Sequence, residues 1–223
     1  MLATLQKAFG VAPAAQPDLF SLAGLSSPVA TQPMFAEAVP TQKLKTIKEV
    51  PHQYQLLTTQ AEVEALLPEL LLQKEVCFDT ETTSLNELEA QIVGLALSWE
   101  VHKGYYILFP EDFDLARQWL SVLKPFFEST TILKIGQNLK YDLKVLTNYG
   151  IEVRGQLFDT MIAHYLLNPD MRHNMDLLSE AYLGYTPIAI DTLIGKKGKG
   201  QLTMRAVPAE LQKEYAVEDT DVT

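Results

Sequence analysis

The chain has 223 residues, 28 Asp and Glu against 18 Lys and Arg, a formal charge of −10, and 47 % hydrophobic content. That apolar share can fill the core of one large domain or of one to two ordinary ones, which excludes disorder of the whole chain. The acidity argues against a protein held to nucleic acid by bulk charge, and no run of about 18 apolar residues offers a membrane span. The N-terminus shows no secretory pattern. Cys77 is the only cysteine, so no intrachain disulfide can form, in keeping with a reducing, cytoplasmic setting.

Residues 11–45 contain five of the twelve prolines (Pro13, Pro17, Pro28, Pro33 and Pro40) without a sustained period, and read as a linker. Residues 1–10 read as the end of a preceding element, and the globular part is expected from Thr46. Tyr54–Thr58 reads as a short strand. Ala61–Leu72 has helical spacing at Val63, Leu66, Leu67 and Leu70, behind Thr59 as a cap. Glu75–Thr80, Gln91–Trp99 and Gly104–Phe109 read as strands whose short gaps suggest antiparallel neighbours. Phe113–Phe127 reads as a helix, Ile132–Ile135 as a strand, and Leu139–Tyr149 as a helix stopped by Gly150. Asp159 is expected to cap a helix over Thr160–Leu167, which ends before Pro169. Helical patterns return at Met175–Tyr182 and Pro208–Val222, where Pro208 suits the first turn. An antiparallel start followed by strand–helix alternation predicts an α/β domain with a mixed sheet.

The charge is uneven. Residues 62–114 hold 12 acids against Lys74 and Lys103, whereas residues 192–205 carry Lys196, Lys197, Lys199 and Arg205 and no acid. Most of these charges read as solvated surface. Three carboxylate positions do not. In Val76-Cys-Phe-Asp-Thr-Glu81 the strand period places Asp79 and Glu81 on the face of Cys77, where they repel unless a cation lies between them. In the helix at 139–149, Asp142 falls between Val145 and Leu146, while Lys140 and Lys144 project from the opposite face. A carboxylate in an apolar stripe needs a partner: a metal, a backbone amide or a buried Arg. In the last helix, Leu211, Tyr215 and Val222 share a stripe, flanked by Asp219 on one side and Glu218 on the other. Periodicity does not choose between these two acids. Taken alone, Tyr215 reads as a core aromatic.

Phe78-Asp-Thr-Glu-Thr-Thr-Ser-Leu85, Gly136-Gln-Asn-Leu-Lys-Tyr-Asp142 and Tyr215-Ala-Val-Glu-Asp219, in this order, resemble the three motifs of the 3′→5′ proofreading exonuclease domain of bacterial DNA polymerase I. The Tyr of the third motif places the likeness with the Tyr subclass of DEDD exonucleases. Leu157-Phe-Asp-Thr-Met161, residues 177–184 and Gly195-Lys-Lys-Gly-Lys-Gly-Gln201 extend it over roughly residues 46–223. The resemblance implies an RNase H-like fold, with a mixed, mostly parallel five-stranded sheet flanked by helices. It further implies that residues 1–45 are the end of an upstream 5′-nuclease region plus linker. The polymerase region that follows in the family is expected beyond Thr223, with the final helix cut four residues after Asp219.

The implied reaction is hydrolysis of the terminal phosphodiester at a single-stranded or frayed DNA 3′ end, releasing nucleoside monophosphates. By resemblance, Asp79, Glu81, Asp142 and Asp219 hold two divalent ions, Mg²⁺ or Mn²⁺, and Glu81 and Tyr215 orient the attacking water. Thr82, Leu85, Gln137, Asn138, Tyr141 and Arg172 are candidates for holding the terminal nucleotide, with Leu85 read equally as core. Lys196, Lys197 and Lys199 are candidates for phosphate contact, or simply an exposed loop. His173 reads as structural or solvated, since no second His stands at ligand spacing. The expected partners are a DNA 3′ end and the polymerase domain of the same chain; a monomer with no membrane contact is expected. A silent exonuclease-fold scaffold and an RNase D-like enzyme acting on RNA 3′ ends are the alternatives.

Overall fold

The computed structural model describes residues 43–198 and 200–223; the expected upstream region, most of the linker and Lys199 lie outside them. Lys45, just before the expected start of the domain, forms a bridge to Tyr185.

A six-stranded sheet forms the centre, from β1 (Gln53–Leu57), β2 (Glu75–Thr82), β3 (Ile92–Glu100), β4 (Lys103–Leu108), β5 (Leu133–Gly136) and β6 (Leu157–Asp159), in the order β1-β4-β3-β2-β5-β6. The pairs β1/β4, β2/β5 and β5/β6 are parallel, and β2/β3 and β3/β4 antiparallel. The mixed, mostly parallel sheet is therefore as expected, with one strand more than the five foreseen. The extra strand, β6, is three residues long at the sheet edge, too short to display a period of two.

Helices cover both faces. On one lie α1 (Gln60–Leu70), α2 (Phe113–Val122), α3 (Lys124–Phe127) and α4 (Leu139–Asn148). Thr59 and Glu62 close a reciprocal capping box at the start of α1. The helix expected over 113–127 is two helices, with Pro125 in the first turn of the second. Val63, Leu66 and Leu70 of α1, Leu120 of α2, Phe126 and Phe127 of α3, and Val145 and Leu146 of α4 pack on Val76, Phe78, Leu95, Leu97 and Ile107. Burial of these side chains, each contributing on the order of 2 kcal/mol, makes this layer the main source of stability.

Next come α5 (Thr160–Leu167), α6 (Met175–Leu178), a π-helical turn at Ser179–Leu183 and α7 (Asp191–Ile194). The single helix expected over 175–182 is thus α6 plus that turn. The last helix, α8 (Ala209–Val222), lies over the opposite sheet face, where Ala216 and Val217 meet Ala96 and Tyr106. Gly104 permits this approach: a Cβ there would sit 2.4 Å from Val217 Cγ1 and 2.8 Å from the Leu97 carbonyl. Leu211 is exposed, so the stripe expected through Leu211 is not the packing face; the buried residues are Gln212, Ala216, Val217, Glu218, Asp219 and Thr220. Four of these six are polar, which is why hydrophobic periodicity misread the face.

Candidate active site

Strand β2 presents Val76 and Phe78 to the main core and Asp79 and Glu81 to the face beneath α8, as its alternation requires. Their cross-strand neighbours on β3 are the small residues Ala96 and Gly94, and the Tyr106 ring fills the space over Gly94, where a Cβ would sit 2.0 Å from its hydroxyl oxygen. Asp219 of α8 joins the two carboxylates on this face. Carboxylate oxygens of Asp79, Glu81 and Asp219 all lie within 4.8 Å of one another. Among the described residues, none of the three is paired with a Lys, Arg or His.

Burial and mutual repulsion act together here. Burial pushes the Asp79 carboxyl well above its usual range, helped by the charges of Asp142, Glu81 and Asp219. Glu81 is pushed up to about 8, first by burial and then by Asp142. Asp219 is raised by burial and by Glu81, against the lowering effect of its hydrogen bond with Tyr215. Four acids brought close without a counter-charge would hold protons at neutral pH; a cation reverses that. The all-oxygen donor set suits a hard divalent ion such as Mg²⁺ or Mn²⁺.

Asp142, from the first turn of α4, approaches from the main-core side and is 2 % exposed. Its Oδ1 accepts from the Thr80 amide at 3.1 Å and the Thr80 hydroxyl at 2.5 Å. The backbone-amide partner considered from sequence is therefore present, yet the charge still reaches Asp79 and Glu81. Burial raises Asp142 itself to about 7. The N-terminus of α4 is held by Asp159, whose carboxylate accepts from the amides of Asn138 and Leu139 while also capping α5.

Helix α8 is fastened by its own polar residues. Gln212 accepts from the Tyr106 hydroxyl at 2.7 Å, and Glu214 meets His52 at 2.8 Å. Glu218 accepts from the Tyr185 hydroxyl at 2.5 Å and the Ile188 amide at 2.6 Å. Asp221 accepts from the Tyr54 hydroxyl at 2.7 Å and the His102 amide at 2.8 Å. The ambiguity between Asp219 and Glu218 is thereby resolved geometrically: Glu218 is spent on the 185–188 segment, and Asp219 joins Asp79 and Glu81. Tyr215 is a packed aromatic, as read from the stripe alone. Its ring packs against Ala96, Val217 and Met204 neighbours, and its side chain bonds to Asp219 one turn on.

The remaining candidates are scattered in role. The Thr82 and Tyr141 hydroxyls lie 2.5 Å apart and each is within reach of the Ser84 carbonyl, so one donates to the other and that other donates to the carbonyl, beside a register shift in β2. This pins the loop that holds Leu85, which is 89 % exposed and so is not core. Gln137 is engaged at both ends of its amide, donating to the His173 carbonyl and accepting from Thr160. Asn138, in a left-handed conformation at φ 61°, is exposed, as are Arg172, Lys196 and Lys197. Sequence reasoning missed the second histidine near His173: His164 Nδ1 lies 2.6 Å from His173 Nδ1, because the chain reverses between α5 and α6. It also missed Asp221, whose partners are more than 100 residues away and leave no local signal.

Residues 54–223 match a family model described as 3′-5′ exonuclease. The chain is 37 % identical over 180 residues to DNA polymerase I of Pseudomonas aeruginosa, covering 76 % of this chain and 20 % of that protein. It thus spans about a fifth of the length of that relative. In fold it is similar to Escherichia coli RNase D, an exoribonuclease involved in structured RNA processing, with a TM-score of 0.59 and 22 % identity over 76 % of this chain and 42 % of that one. It is also similar to Brucella melitensis NrnC with bound Mg²⁺, with a TM-score of 0.54 and 18 % identity over 77 % of this chain and 76 % of that one. The resemblance read in the three motifs is matched over most of the chain, which belongs to the 3′-5′ exonuclease family.

Proposed function

We propose that this domain shortens DNA from its 3′ end in a proofreading role, as part of a DNA polymerase I chain. The observation that carries the reading is the trio Asp79, Glu81 and Asp219, with oxygens within 4.8 Å of one another and Asp142 close enough to raise two of them.

Asp79, Glu81, Asp142 and Asp219 would hold two divalent ions, which when bound supply charge to activate water and stabilise the leaving oxygen. The chain's own groups position the rest. Tyr215 keeps its proton, since burial and the surrounding carboxylates raise its hydroxyl, so it orients water by hydrogen bonding and does not act as a base. Glu81 faces the same volume as an acceptor. The water gives up a proton to solvent as its oxygen bonds to the terminal phosphorus, the bond from phosphorus to the 3′ oxygen breaks, and that oxygen takes up a proton from solvent. A nucleoside monophosphate leaves and a shortened strand with a 3′-hydroxyl remains. Such a transfer relies on positioning and charge, which a fastened α8 and a rigid sheet supply.

Exposed Leu85 would meet the terminal base. Exposed Arg172, Lys196 and Lys197 would meet phosphates. Chromatography of the products tests the reading: single-stranded DNA with Mg²⁺ should yield nucleoside monophosphates from the 3′ end. Preferential digestion of RNA ends in a competition assay would instead favour an RNA-processing role. Product release from the 5′ end would contradict both.

A further inference from the structure

One carboxylate starts two helices. Asp159 ends β6 at the sheet edge, in register with Gly136 at the end of β5. Its Oδ1 accepts from the amides of Met161 and Ile162 at 2.9 and 3.2 Å, which opens α5, and from the Asn138 amide at 3.2 Å. Its Oδ2 accepts at 2.9 Å from the amide of Leu139, the first residue of α4. An N-cap side chain ordinarily serves the helix that follows it. Here the following helix takes two of the four bonds, and a helix begun 20 residues earlier takes the other two.

Helix α4 depends on that outside acceptor because its own cap position supplies none. Asn138 stands there in a left-handed conformation, and its side chain makes no capping bond. The orphan amides of a first turn must then find acceptors elsewhere. The turn leading into them is tight: a Cβ on Gly136 would sit 2.4 Å from Leu139 Cδ2 and 3.0 Å from the Phe78 carbonyl. Asp142 lies in this same first turn, so its carboxylate moves with the start of the helix. That carboxylate is held in turn by Thr80, which stands between Asp79 and Glu81 on β2. A negative charge at the head of both helices also suits their dipoles.

We propose that Asp159 is a positioning residue of the hydrolytic site. By capping α4 from the neighbouring strand, it sets the reach of Asp142 toward Asp79 and Glu81, and with it the affinity of the four carboxylates for divalent ions. This rests on the reading of the domain as a cation-dependent 3′ exonuclease. Asp159 does not itself hold an ion: its two oxygens already accept from four backbone amides, and it stands outside the group formed by Asp79, Glu81 and Asp219. Thr160 reinforces the joint, its hydroxyl donating to Gln137 Oε1 just ahead of α4. Losing a group that orients a metal-holding side chain weakens metal binding by about 10–100-fold. Asp159 acts through the start of a helix, which places it at the lower end of that range.

Calorimetric titration of Mn²⁺ into the 223-residue chain, without DNA, tests this. Asp159→Ala should weaken Mn²⁺ binding about tenfold. Asp159→Asn keeps one acceptor oxygen and should fall between that variant and the wild type. In shortening assays, the Mg²⁺ concentration for half-maximal rate should rise by a similar factor, while saturating Mg²⁺ recovers the turnover number. Asp112→Ala is the control, since it removes the cap of α2, a helix that carries none of the four carboxylates. It should lower the melting temperature and leave Mn²⁺ binding unchanged. Wild-type Mn²⁺ affinity in folded Asp159→Ala would overturn the proposal, as would equal weakening in Asp112→Ala. If Asp159→Ala does not fold, Asp159→Asn decides by the same criterion. A wild-type chain that binds Mn²⁺ without shortening DNA, with the effect at residue 159 intact, would refute the exonuclease reading alone. Shortening by the wild type, with Mn²⁺ binding insensitive to residue 159, would refute the positioning role alone.

Discussion

Asp79, Glu81 and Asp219 compete for protons because each is desolvated beside the others. For Glu81 the folded value near 8 exceeds the ordinary 4.5, so the folded domain binds the extra proton between those limits. Stability from this group is then fully present below about 4.5 and lost as pH rises through about 8. Without divalent ions, the melting temperature of the wild type relative to Glu81→Gln should therefore fall over that window. Adding Mg²⁺ should restore it, and a flat difference would contradict the account. Tyr215→Phe removes a water-orienting hydroxyl while keeping the packed ring, and should lower the turnover number about 10²-fold with little change in stability. The strand alternation of Asp79 and Glu81 and the misfit of Asp142 were legible in the sequence, because strand and helix periods fix faces. The choice of Asp219 over Glu218 was not, because it depends on Tyr185 and the Ile188 amide some 30 residues away.

At the level of elements, α8 decides whether the site exists. It carries Tyr215 and Asp219, and its hold on the sheet comes from Gln212, Glu214, Glu218 and Asp221 as much as from Ala216 and Val217. Asp221→Ala leaves the Tyr54 hydroxyl and the His102 amide without their acceptor, and should cost about 1–3 kcal/mol in urea unfolding. Gly104→Ala sets a methyl against Val217 and the Leu97 carbonyl, so it should lift α8 and cost a similar amount, about 1–3 kcal/mol. Both variants should lose 3′ shortening more steeply than they lose stability, since the site tolerates small displacements poorly. Most elements could be read in chain order from the sequence. The strand β6, the break at Pro125 and the π-helical turn could not, since each is too short for its period to repeat enough to be recognised.

For the whole molecule, the charge of −10 takes on a definite distribution. Several acids are spent on the site and on fastening α8, while Arg172, Lys196 and Lys197 are exposed. If Arg172, Lys196 and Lys197 are the phosphate contacts, binding of single-stranded DNA should be weak. Its logarithmic salt dependence should have a slope of about −2, at about −0.7 per contact. Fluorescence anisotropy measures that slope, and a much steeper one would point to an undetected basic surface. The central claim is that the four carboxylates form one cation-dependent hydrolytic site. Its most direct test is digestion of an end-labelled single strand with and without Mg²⁺, by the wild type, Asp79→Ala and Asp142→Ala. The account predicts Mg²⁺-dependent shortening from the 3′ end by the wild type and none by either variant; equal shortening by all three would contradict it.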